Sequence, residues 1–139
     1  PDNGTSKNKN ITSIVGKFDK GRRHLWADLS LSEGYGGQSD LLGLQLMPFY
    51  DITDKTQAVV RYTHIDSPDG NGIKLSRYEK TLVSGKGNNV NEYFFGLNHY
   101  FYGHKLKWQN GLQYTDMKIS GAGGSYNGWG FTSGLRISW

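Results

Sequence analysis

The chain has 139 residues, 35% of them hydrophobic, 14% aromatic and 20% charged, with 20 glycines and no cysteine. That length holds one domain with a modest core, and the missing cysteine excludes a disulfide framework and a thiolate metal site. The net charge of +4 is carried by scattered Lys and Arg rather than a basic patch, so no nucleic acid is expected as a partner. Mean hydropathy is −0.63, and no run approaches the roughly 18 apolar residues of a membrane helix. A β-barrel stays open, because its lumen-facing polar residues cancel its lipid-facing apolar ones in any running average.

In chain order, residues 1–10 read as a polar loop or tail, rich in Asn, Ser, Lys and Gly and without the apolar stretch of an export signal. An exported protein with this start is expected to be a mature chain or a fragment. Residues 11–139 read as β-strands. Ile11 to Phe18 is a strand with unclear alternation, closed by the turn signal Asp19-Lys20-Gly21. Arg23 to Ser32 alternates, with Leu25, Ala27, Leu29 and Leu31 against His24, Trp26, Asp28, Ser30 and Ser32. After a loop over Glu33 to Asp40, Leu41 to Phe49 sets Leu42, Leu44 and Leu46 against Gly43, Gln45 and Met47, and Pro48 is expected to end the strand or mark a bulge.

Tyr50 to Asp54 reads as a short turn, and Lys55 to Ile65 as a strand with Arg61 on its polar side. A long loop over about 66–89 carries Pro68, Asp69-Gly70-Asn71-Gly72 and Gly85-Lys86-Gly87, and its length marks it as functional or mobile. Val90 to Tyr102 is the next strand, followed by the tight Tyr102-Gly103-His104. Lys105 to Met117 is the clearest internal strand, with Leu106, Trp108, Leu112 and Tyr114 opposite Lys105, Lys107, Gln109 and Gln113. A Gly-rich loop over Ile119 to Gly128 leads to Trp129–Trp139, whose odd positions are mainly apolar and whose even positions are small, polar or cationic. No stripe of period 3.6 lasts three turns.

Counted back from the C-terminus, long and short connections alternate. Bacterial outer-membrane barrels have short periplasmic turns and longer extracellular loops, and strands of this length suit a tilted bilayer crossing. The fold class expected is therefore all-β, an antiparallel transmembrane β-barrel in the bacterial outer membrane. Seven strands with the last one descending put the chain start on the extracellular side, whereas single-chain barrels have even strand numbers and start in the periplasm. Upstream strands are thus expected, and the chain is read as the C-terminal part of a larger barrel.

Residues 92–109 (EYFFGLNHYFYGHKLKWQ), the later Gly111-Leu112-Gln113-Tyr114, and Gly128-Trp129 through Gly134-Leu135-Arg136-Ile137-Ser138-Trp139 resemble the C-terminal strands of the phosphate-selective porin O and P family. Thr53 to Tyr62 looks like that family's turn followed by an Arg-Tyr strand. The resemblance runs from about Leu42 to Trp139. It implies a sixteen-stranded porin, usually a homotrimer, that passes small anions such as phosphate across the outer membrane. The family's anion-selecting positions fall largely upstream of this stretch and are not carried over.

Candidate pore-lining residues are Arg61, Lys105, Lys107, Gln109, Gln113 and Arg136, since cations on a water-filled lumen raise the local anion concentration. The bland alternative is that they solvate the lumen, and Glu92 and Asp28 on the same side offset their field. Tyr93, Phe95, Trp108, Tyr114, Trp129, Phe131 and Trp139 are the candidate lipid-facing and girdle residues, and Trp139 is the expected signal for the outer-membrane assembly machinery. Partners expected are the lipid bilayer with its lipopolysaccharide, and small anions as permeants. The histidines lack metal-ligand spacing, Asp69-Gly70-Asn71-Gly72 lacks the carboxylates of a calcium loop, and no nucleophile–base set stands out. No cofactor, metal or enzymatic activity is expected. Two other readings stand beside the porin: a self-contained eight-stranded barrel with a structural or adhesive role, its eighth strand within residues 1–10, and a soluble β-sandwich binding through its long loops.

Overall fold

Strands form wherever the sequence alternates, and each glycine-bearing tight turn folds one strand back on the last. The computed structural model of the chain describes residues 10–34, 39–70, 72–73, 79–83, 87–103, 105–118 and 125–139. Residues 1–9 of the tail expected over 1–10, residues 35–38 of the loop expected over 33–40, Asn71, 74–78 and 84–86 of the long loop, His104 of the tight turn and 119–124 of the Gly-rich loop lie outside the described residues. The strands are β1 (Ile11–Lys20), β2 (Arg23–Ser32), β3 (Leu41–Thr53), β4 (Thr56–Asp66), β5 (Asn89–Tyr102), β6 (Leu106–Lys118) and β7 (Tyr126–Ile137), with one short helix, α1 (Glu79–Leu82), between β4 and β5.

All seven strands make one open antiparallel sheet in sequence order, with β1 and β7 at its edges. Gly21 (φ 59°) turns β1 into β2 and Gly103 (φ 51°) follows β5, both in the left-handed region that glycine enters freely. The tight connections β1–β2, β3–β4 and β5–β6 share one end of the sheet, here the turn end. The longer connections share the other, the loop end.

Several boundaries differ from the expected ones: β1 continues through Asp19 and Lys20, which pair with His24 and Arg23, and the turn expected over Tyr50 to Asp54 narrows to Asp54 and Lys55. β3 runs through Pro48 to Thr53 instead of ending there. Pro48 stays opposite Leu25 of β2, while the β4 ladder is interrupted at Met47 and Pro48, so the missing N–H is absorbed as a local gap rather than a strand end. β6 begins at Leu106, which leaves Lys105 in the turn, its N–H bonded to the Tyr102 carbonyl. β7 spans Tyr126–Ile137 rather than starting at Trp129, so Ser138 and Trp139 follow it.

The long loop has structure of its own. Besides α1, an isolated bridge joins Ile73 to Gly87. Ile73 packs with Val90 of β5 and the fully buried Met117 of β6, and Leu41, Ile65, Val83 and Tyr126 close around them. A Cβ on Gly87 would sit 2.7 Å from the Met117 sulfur, so the loop backbone needs a glycine to approach so closely. Ser67, 1% exposed, accepts the Gly72 N–H on its hydroxyl at 2.9 Å. The buried hydrophobic residues of the described chain therefore sit at the loop end.

Candidate functional site

Side chains of one parity share a face of the sheet, and the register carries that assignment from strand to strand. On one face lie Ile14 and Phe18, Leu25 and Leu29, Leu42 and Leu46, Val60, Tyr93 and Phe95, Trp108 and Leu112, and Trp129, Phe131 and Leu135. These are open to the surroundings, up to 70% at Phe131. Soluble monomers rarely expose contiguous apolar patches beyond a few hundred Å². Aromatic residues form a row on this face toward the loop end, because Tyr62, Tyr93, Tyr114 and Trp129 oppose one another across β4 to β7. Ring centroids are 5.1 Å apart for Tyr62–Tyr93 and 4.9 Å for Tyr114–Trp129. Tyr50 and Phe101 lie on the same face toward the turn end. Eight residues of β5 separate Tyr93 from Phe101, about 26 Å of strand.

The opposite face is polar and bonded across the strands. Asp51, Gln57, Asn98 and Gln109 oppose one another from β3 to β6. Gln109 donates to the Asn98 amide oxygen at 3.0 Å, Asn98 to Gln57 at 3.1 Å, and Gln57 to Asp51 at 2.9 Å. The second Asp51 oxygen lies 3.1 Å from His24 Nε2, and His24 Nδ1 lies 2.5 Å from Asp19. Phe49 holds the imidazole by stacking at 4.5 Å. One side-chain belt thus crosses β6, β5, β4, β3, β2 and β1. Nearer the loop end, Glu92 accepts from Arg61 at 2.6 Å and from Gln113 at 2.8 Å.

A trough of about 740 Å³ lies on this face between Trp26 of β2 and Thr132 of β7. Arg61, Lys107 and Gln109, all expected on the polar side, line it. Gln113 is on the same face beside Glu92, and Arg136 opposes Lys107 in register. Lys105 is displaced from this group into the turn. Of the expected aromatics, Tyr93, Phe95, Trp108, Tyr114, Trp129 and Phe131 share the apolar face, and Trp139 lies fully exposed past β7. Lys17, Arg61, Lys107 and Arg136 share the polar face with Asp19, Asp28, Asp51 and Glu92, so its formal charges nearly balance, His24 aside.

The belt and the polar-face aromatics Phe49, Phe94 and Tyr100 escape sequence reading. Asp19, His24 and Asp51 are chemically ordinary until the register brings them together. A signal for Phe94 existed in Gly96 and Gly111, which oppose each other on β5 and β6. Comparison with family models, curated proteins and solved structures finds no match.

Proposed function

We propose that this chain is part of the wall of a bacterial outer-membrane β-barrel channel, a porin that lets small hydrophilic solutes diffuse passively. The observation that carries the reading is the pairing of an exposed apolar face, crossed by an in-register aromatic row, with a hydrogen-bonded polar face. In this reading the apolar face meets lipid and the polar face meets water. The residue likeness of 92–139 to the phosphate-selective porin O and P family supports it. The loop packed on Ile65, Val90 and Met117 narrows the lumen at the loop end.

Strand direction limits how such a wall can close. β1 and β7 run the same way, so an all-antiparallel closure needs an odd number of strands between them. Sixteen strands meet that condition and eight meet it also. The Lys107–Arg136 pair gives this stretch of wall a local bias toward anions, and homotrimeric assembly follows from the family likeness.

Spin labels at Leu97 and at Gln109 test the assignment of faces in lipid vesicles. The Leu97 label is expected to be accessible to oxygen and the Gln109 label to a water-soluble nickel chelate. A soluble sandwich, in which the apolar face packs on a second sheet, would leave the Leu97 label inaccessible to both and the protein folded without detergent.

A further inference from the structure

The trough on the polar face is lined by rings as well as by amides. Phe94 has the tip of its ring over two facing glycines: a Cβ on Gly96 would come within 2.6 Å of its Cε1, and one on Gly111 would strike its Cε2. Bare backbone there lets the ring lie down against the sheet. Trp26 meets Phe49 edge-on at 5.3 Å, and the Tyr100 hydroxyl donates to Gln57 at 3.4 Å. These rings flank the belt amides Gln57, Asn98 and Gln109.

We propose that this trough is a binding site for a neutral, ring-shaped, polyhydroxylated solute, a saccharide. The proposal rests on the reading of the polar face as a solute path and names the solute class. Pyranose rings have apolar C–H faces that pack on aromatic rings, and their hydroxyls both donate and accept. The belt amides are held by one another and still carry further N–H groups and lone pairs for those hydroxyls. Sites built to hydrogen-bond a hydroxyl reject solutes that lack it. The trough volume of about 740 Å³ falls within the roughly 300–1,000 Å³ of small-molecule sites, which are likewise mostly apolar with a few placed polar groups.

The charges at the trough are partly engaged, which leaves the rings and amides to select the occupant. Arg61 is committed to Glu92 at 2.6 Å, with its guanidinium 5.0 Å from the Phe94 ring centroid. Lys107 sits 5.9 Å from the Tyr100 ring centroid. Asp51 and Glu92 lie outside the trough lining, Asp51 bonded to Gln57 and Glu92 to Arg61.

The test is calorimetric titration of the full protein, folded in detergent as judged by circular dichroism, with maltotriose and separately with inorganic phosphate. Maltotriose is expected to bind saturably with a Kd of about 1–10 mM, and more tightly than phosphate. Tyr100→Ala is expected to weaken it by about tenfold, Tyr100→Phe by much less because the ring is kept, and Trp108→Ala on the opposite face not at all. Phosphate binding tighter than maltotriose, no saturable heat with either, or equal effects of Tyr100→Ala and Trp108→Ala would overturn the proposal. Planar-bilayer conductance separates the two readings. Saccharide binding without conductance sinks the channel and leaves the site, whereas conductance without saccharide binding sinks the site and leaves the channel.

Discussion

The two ends of the sheet solve the same problem with opposite chemistry. At the loop end, the inner side of the strands is apolar at Ile65, Val90 and Met117, and the long loop folds over it with Ile73 and Val83. At the turn end, the inner side is polar, and side chains bond to one another from Gln109 to Asp19. The first device removes surface from water and is sensitive to volume. The second leaves a solvated surface but fixes its geometry through directional bonds. The sheet is therefore covered at one end and hydrogen-bonded in the open at the other.

The largest effect that would break the comparison belongs to the loop end. Met117→Ala removes a fully buried side chain and is expected to cost about 2–5 kcal/mol. Protease cutting within the long loop should rise sharply while the turn end stays protected, as read by hydrogen exchange. If exchange rises equally at both ends, the two are one cooperative unit. Gln57→Ala, which deletes three belt contacts at a half-buried site, is expected to cost less, about 1–2 kcal/mol. Its exchange signature should be confined to the turn end. Gly111→Ala should cost little stability, because the Phe94 ring can swing away, yet it should abolish saccharide binding by filling the place where that ring lies.

Charge reversal sharpens the comparison further. Lys107→Glu with Arg136→Glu is expected to leave stability nearly unchanged and to move the reversal potential toward cations in a salt gradient. An unmoved potential removes this pair from the solute path. The smallest effect is expected from Trp108→Ala, an exposed residue on the apolar face whose indole donates to Ser133. In detergent its stability change should stay within about 0.5 kcal/mol.

How much of this was legible in the sequence follows from the range of each interaction. β2 is legible to the residue, because period-two alternation is local and Gly21 and Ser32 bracket it. The division of faces was legible for the same reason, and Arg61, Lys107, Gln109, Gln113 and Arg136 fall together on one of them. Pro48 was misleading: a single proline costs one ladder bond, and the two flanking strands hold β3 straight through it. Lys105 was misplaced because the hairpin turn takes the residue that alternation would give to the strand. The loop-end core was invisible, since Ile73 and Val83 lie in a mostly polar stretch without strand or helix periodicity. They gain meaning when Val90 and Met117, distant in sequence, arrive beside them. The belt was invisible for a sharper reason: Gln57 and Asn98 are 41 residues apart, and a shift of one residue in register would put them on opposite faces.

Every amide in the belt points the same way round the wall. Gln109 gives its proton to Asn98, Asn98 to Gln57, and Gln57 to Asp51. Asp51 can only accept when ionised, so the row has a sense of rotation that a single carboxylate imposes on three side chains, the farthest about 14 Å away across three strand spacings. The amide dipoles then add along the row, across the strands. Replacing Asp51 by a donor, as in Asp51→Lys, would reverse that sense without moving the backbone. The direction of the row is thus set at one end, by a residue two strands away from its last donor's partner.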